Sequence, residues 1–182
     1  MRKMKIIRII NAFLFLTIAT NIDSAKPWKG IVPLESSRAD VERLLGKPAD
    51  PEQPRYSYPD EIVTVEYSRY ACDRAPAVKG WPTLSVLWNV KPDLVTAIGI
   101  DLRKPVLLSS LGLNLSTFKR VPEFHLQNVF RYKNEEEGFV IQVYEDAGIE
   151  MVRGYIYEPE AKYDYLLCPR VKAQAIGSDV KP

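Results

Sequence analysis

The stretch RYSYPDEIVTVEY (residues 55–67) has a near-echo in RYKNEEEGFVIQVY (residues 131–144), 76 positions further on. Each opens on Arg-Tyr, crosses a polar, acidic turn, and closes in an alternating run that ends in Tyr. In the first, Val63, Val65 and Tyr67 share one side while Thr64, Glu66 and Ser68 share the other, the period of two that marks a half-buried strand. The text that follows corresponds as well: DLVTAIGIDL (93–102) in the first half, IEMVRGYIYE (149–158) in the second. Two readings stay open. A strand–turn–strand unit occurs twice, over about residues 35–102 and 113–158, each copy unable to cover its own apolar face; or two Tyr-rich amphipathic strands look alike through composition. On the first reading the units form one antiparallel sheet with a common core.

The strongest helix signal is ESSRADVERLLGKPAD (35–50). Ser37 stands at the N-cap, where its hydroxyl accepts from the amide of Asp40 while the Asp40 carboxylate reaches back, a capping box. Val41, Leu44 and Leu45 fall on one face, opposite Arg38, Glu42 and Arg43. Gly46 stands where a left-handed residue ends a helix, and Pro48 blocks continuation. A helix of about nine residues is marginal alone in water, so its apolar stripe needs a sheet to pack on.

The other strands expected are Leu84–Val90 and Leu94–Leu102, joined as a hairpin by Lys91-Pro92-Asp93, and then Asn128–Lys133, Gly138–Glu145 and Ile149–Glu158, the last two turning at Ala147-Gly148. Residues 71–83, rich in Pro and Gly, read as a long loop, and residues 103–128 as a linker holding a short strand or turn.

Met1–Arg8 carries Arg2, Lys3, Lys5 and Arg8 with no acid, and Ile9–Ala19 is an apolar run of eleven with only Asn11 and Thr17 as polar interruptions. That is the layout of a signal peptide over residues 1–25; a spanning helix needs about 20 apolar residues. The expectation is an exported chain, periplasmic or extracellular, with a single domain over 26–170 and a flexible tail over 171–182. Without the four leader cations, 25 basic residues become 21 against 23 acids, a net of −2 if Asp23 is kept. A near-neutral domain has no electrostatic footprint for nucleic acid.

Two cysteines, Cys72 and Cys168, in an exported chain read as one disulfide. Closing a loop of that size contributes roughly 4–5 kcal/mol on chain-entropy grounds. CxxC spacing is missing, which disfavours a redox pair, and the lone His125 cannot complete a zinc site. No cofactor or metal is expected.

Candidates for catalysis are weak. Glu135-Glu136-Glu137 is the densest acid cluster, with Asp60-Glu61 in the matching place, but consecutive residues of a turn point apart into water. There is one histidine, no GxSxG elbow and no glycine-rich phosphate loop. The aromatics are the remaining hint. Trp81, Trp88, Tyr67, Tyr144 and Tyr155 form a binding surface if they stand on an open sheet face, or core if they do not.

The stretch IVPLESSRADVERLLGKPAD (31–50) resembles the T-x-x-x-V-x-x-x-L-G-x-P helix of the BamE-like (SmpA/OmlA) superfamily, envelope proteins with helices packed on a small antiparallel sheet. A tandem copy would be similar to the secreted β-lactamase-inhibitor proteins, which have two such units. The mature chain also looks like a group of exported bacterial proteins of unassigned role. Their pattern stands here as SSRADVERLLGKP, WNV, KNEEEG and the tail from Tyr157-Glu158-Pro159 through Asp164, Leu167, Cys168 and Pro169. The chain departs from BamE lipoproteins in having no lipid-bearing Cys near the leader, and its second half has no clear helix.

Together these readings predict an α+β fold: an antiparallel sheet of two quasi-repeated strand units with one short helix on a face. The function expected is a non-catalytic extracytoplasmic module that binds or scaffolds another protein. The alternatives are a secreted inhibitor of a hydrolase, and a carboxylate-based glycan hydrolase. The last needs two acids facing across a cleft, roughly 5–9.5 Å apart.

Overall fold

The computed structural model describes residues 28–69, 88–123 and 126–168. The expected leader and tail, Cys72, Trp81 and His125 lie outside them. Helix α1 (Arg38–Leu45) precedes strands β1 (Arg55–Ser57), β2 (Glu61–Tyr67) and β3 (Val95–Leu107). Two short 3-10 helices (Leu108–Leu111 and Leu115–Thr117) lead to β4 (Lys119–Pro122), β5 (Val129–Asn134), β6 (Phe139–Asp146) and β7 (Ile149–Tyr157), and a third 3-10 helix spans Ala161–Leu166. The strands make one antiparallel sheet in the order β1-β2-β3-β7-β6-β5-β4, so the fold is α+β. Among the described residues no helix is long and apolar enough to cross a membrane.

The registers of the two halves correspond pair for pair. Arg55↔Thr64, Tyr56↔Val63 and Ser57↔Ile62 have counterparts in Arg131↔Gln142, Tyr132↔Ile141 and Lys133↔Val140. Glu61↔Leu102 through Thr64↔Gly99 match Phe139↔Tyr157 through Gln142↔Gly154. Where β3 meets β7 at the centre, Gly99↔Ile156 and Asp101↔Gly154 are one pairing with the roles exchanged. A local two-fold axis through Ile100 and Tyr155 therefore relates the pairing of the halves.

Both apolar clusters lie on one face of this sheet. In the first unit Tyr56, Val63, Val65, Tyr67, Val95, Ile98 and Ile100 pack with Val41 of α1 and with Trp28 and Ile31 of the lead-in. In the second, Ile141, Val143 and Val152 pack under Leu108, with Leu111, Leu115 and Phe118 around them. The segment before each unit is thus its cover: α1 in the first, the two 3-10 helices in the second.

The helix forms for local reasons. Ser37 Oγ accepts from the Asp40 amide at 3.3 Å and donates to Asp40 Oδ2 at 2.7 Å, and the Ser37 amide donates to the same carboxylate at 3.0 Å. Gly46 ends α1 with a φ of 85°, a conformation only glycine takes without strain. One expectation is corrected here. Val41 is fully buried and Leu45 packs on the cluster, but Leu44 is 42% exposed. In a helix of two turns, positions i and i+4 face the sheet, and i+3 slides to the flank.

The expected hairpin of Leu84–Val90 with Leu94–Leu102 is also corrected. Residues 84–87 lie outside the described residues, and the described end, Trp88–Val90, is no strand: Trp88 makes an isolated bridge with Leu167. The reason is that β3 sits mid-sheet with both sides taken, by β2 and β7. The turn at Pro92-Asp93 instead docks on Ser68, whose carbonyl accepts from the Asp93 amide at 2.9 Å and whose amide donates to Leu94 at 2.8 Å.

Residues 103–107, expected as linker, continue β3. Pro105 is tolerated because β2 begins opposite Leu102 and the last bond on that side is from the Arg103 amide to the Asp60 carbonyl at 2.9 Å, so at Pro105 there is no ladder to lose. The pairing with β7 slips at the same place, from Asp101↔Gly154 to Val106↔Val152.

Candidate functional site

β1 is only three residues long and covers β2 from Ile62 to Thr64. The last contact on that side is Val65 N–H to the Pro54 carbonyl at 3.0 Å. From there to Arg69 the outer edge of β2 has no strand beside it among the described residues. A free edge presents unpaired backbone groups, a template for another extended segment.

A groove of about 550 Å³ runs along this edge, between the 52–54 loop, β2 and the Pro92-Asp93 turn. Arg38, from the first turn of α1, spans it. Its Nε donates to Asp93 Oδ1 at 2.9 Å, one terminal nitrogen donates to the Pro51 carbonyl at 3.0 Å, and its guanidinium lies 4.2 Å from the centroid of Tyr67. Burial raises the Tyr67 phenol well above its ordinary range, and Arg38 opposes that only in part. Ser68 fixes the far wall: Oγ donates to the Lys91 carbonyl at 2.7 Å and accepts from the Leu94 amide at 3.0 Å. Glu66 also lines the groove. Its carboxyl is raised chiefly by burial and next by the charge of Glu158, with Arg69 pulling the other way.

A second polar cluster sits on the other unit. Arg120 on β4 reaches Glu145 at 3.2 Å and Glu150 at 3.3 Å, and the Tyr132 hydroxyl donates to Glu150 at 2.8 Å. Glu145 and Glu150 face each other across β6 and β7. This carboxylate pair shares one guanidinium, a charge-pairing arrangement, and nothing in the sequence pattern marks it because the cluster's members come from four strands.

The aromatic candidates divide. Trp81 lies outside the described residues. Tyr67 and Trp88 are each 6% exposed, the core alternative: Tyr67 sits opposite Val95 under Arg38, and Trp88 bridges Leu167. Tyr155 is half-buried, stacked on Phe139 at 5.8 Å and packed against both clusters. Tyr144, opposite Met151 and out of step with the buried Val143, stands half-exposed on the opposite face. The structure does not gather these five into one surface. Cys168 is 6% exposed, and no cysteine among the described residues is free; Cys72 lies outside them.

The acid run Glu135-Glu136-Glu137 forms the β5–β6 turn, where Asn134 Oδ1 accepts from the Glu137 amide at 3.2 Å and Lys133 lies 3.9 Å from Glu135. Among the described residues no group of three or more His, Cys, Asp or Glu side chains converges as for a metal. No protein-family model, curated protein or solved structure matches the chain. The BamE-like expectation therefore rests on the helix motif alone.

Proposed function

We propose that the chain is a non-catalytic, exported protein-binding module, stapled by a Cys72–Cys168 disulfide, that takes an extended segment of another extracytoplasmic protein along the free edge of β2. The observation that carries this reading is the mismatch in strand length: β1 pairs with three residues of β2 and leaves the rest beside an open groove. Added strands gain affinity from main-chain bonds and specificity from the pockets beside them. Here the groove offers Arg38 and Asp93 at one wall and Glu66 and Arg69 along the strand, a mixed set suited to polar side chains.

The test is site-specific photocrosslinking in the full chain, expressed in its own host. A photoreactive residue in place of Gln53, on the groove wall, is expected to give discrete adducts with an envelope protein, and one in place of Asp101, exposed on β3 away from the groove, is not. Equal labelling from both positions, or none from Gln53, overturns the assignment of the site.

A further inference from the structure

We propose that the open end of the second unit is a docking surface for helix α1 of a second copy of this chain. The matched registers show what that end lacks. Tyr67↔Val95 in the first unit and Glu145↔Glu150 in the second hold the same place, each reached across one bulge from the matched pairs Thr64↔Gly99 and Gln142↔Gly154. In the first unit the place is roofed. Tyr67 and Val95 are 6% and 0% exposed, Arg38 lies over the Tyr67 ring, and the backbone at Leu34 and Ser36 bonds to Val95.

In the second unit the roof is the pair of 3-10 helices, and a hollow of about 550 Å³ stays open between Leu108, Leu115 and the two glutamates. Leu107 and Ile149 line it and are 46% and 53% exposed. Apolar area left in water is the usual mark of a contact surface. The polar part of the hollow is acidic: Glu145 and Glu150 meet the one guanidinium of Arg120.

The occupant that fits is a helix offering an aliphatic side chain beside a cation. The outer face of α1 offers it. Leu44 is 42% exposed, Lys47 is exposed just past the helix end, and Arg43, exposed beside them, pairs with Asp40 at 3.1 Å. Helix and hollow are different patches, so the contact is heterologous: each copy keeps a free helix at one end and a free hollow at the other, and assembly continues past two copies unless the rotation closes a ring. This surface is separate from the β2 groove, and its failure leaves that reading untouched.

Sedimentation velocity of the mature chain over a range of concentrations tests it. The average mass is expected to rise beyond twice the monomer value, and to fall with added salt because the contact pairs opposite charges. Leu44→Asp and Ile149→Asp, both at exposed positions, should each return the protein to monomer, with Lys47→Glu as a second, charge-only variant. An equimolar mixture of L44D and I149D retains one intact helix and one intact hollow, and should stop at a one-to-one dimer. A monomer up to the solubility limit, self-association untouched by either substitution, or a mixture that stays monomeric overturns the proposal.

Discussion

Gly99 and Gly154 hold matched positions in the two units, opposite Thr64 and Gln142, yet their surroundings differ, and that difference gives an internally controlled test of the central seam. A Cβ on Gly154 would sit well inside van der Waals contact of the Ile100 carbonyl oxygen, 3.3 Å from the Ile100 carbonyl carbon and 3.2 Å from Gln142 Oε1. The first two are backbone of the central strand and cannot swing away. A Cβ on Gly99 would meet only the Thr64 carbonyl oxygen, at 4.0 Å. Replacing strand glycine by alanine gains about 0.5–1 kcal/mol where there is room, whereas overpacking costs about 1–3 kcal/mol. Gly154→Ala is therefore expected to lose about 1–2 kcal/mol net, and Gly99→Ala to be neutral or to gain up to about 1 kcal/mol. With a urea slope of roughly 1–3 kcal/mol per molar, the G154A midpoint falls by about 0.5–1 M at unchanged slope. Equal midpoints for the two variants, or a G154A protein as stable as the parent, refute the close approach of β3 and β7.

Three further outcomes are expected. The hydroxyl and amide of Ser37, with Arg43, hold the Asp40 carboxyl at about 2 against an ordinary 3.8; the cap's contribution is present above pH 3.8 and is lost as pH falls through about 2, and Ser37→Ala, worth about 1 kcal/mol as an N-cap, should raise the Asp40 titration seen by NMR. Glu66 is the opposite case: its raised carboxyl stabilises the fold below its ordinary value of 4.5 and loses that contribution as pH climbs through the folded value, so Glu66→Gln should melt higher than the parent at pH 7 and no higher in acid; a lower melting point at pH 7 contradicts the desolvation argument. Cys168→Ser should cost roughly 2–5 kcal/mol, and the parent should resist alkylation until reduced; ready alkylation without reductant rules out the bridge.

The legible parts of this fold were those decided within a few residues. The capping box at Ser37 and Asp40 is local, as are the alternation of β2 and the turn at Ala147-Gly148. The rest depends on neighbours distant in sequence. Lys91-Pro92-Asp93 has the chemistry of a hairpin turn, but which strand flanks β3 is settled by β2 and β7 occupying both its sides. Pro105 reads as a break, and only the start of β2 opposite Leu102 makes it harmless. Tyrosines counted as surface candidates turned inward because the covered face claims Tyr56, Tyr67, Tyr155 and Tyr157 together. The groove was invisible for the same reason, since Arg38 and Asp93 are 55 positions apart. Its one sequence signal was the Arg-Tyr echo, which sets the register of β1 and hence where β1 stops.

The most direct measurement is amide hydrogen exchange of the mature chain, alone and bound to the envelope protein recovered by crosslinking. New protection confined to the amides of Glu52, Gln53 and residues 66–69 is the predicted result. Protection at β4, across the sheet at its other edge, with the β2 edge unchanged, contradicts the account.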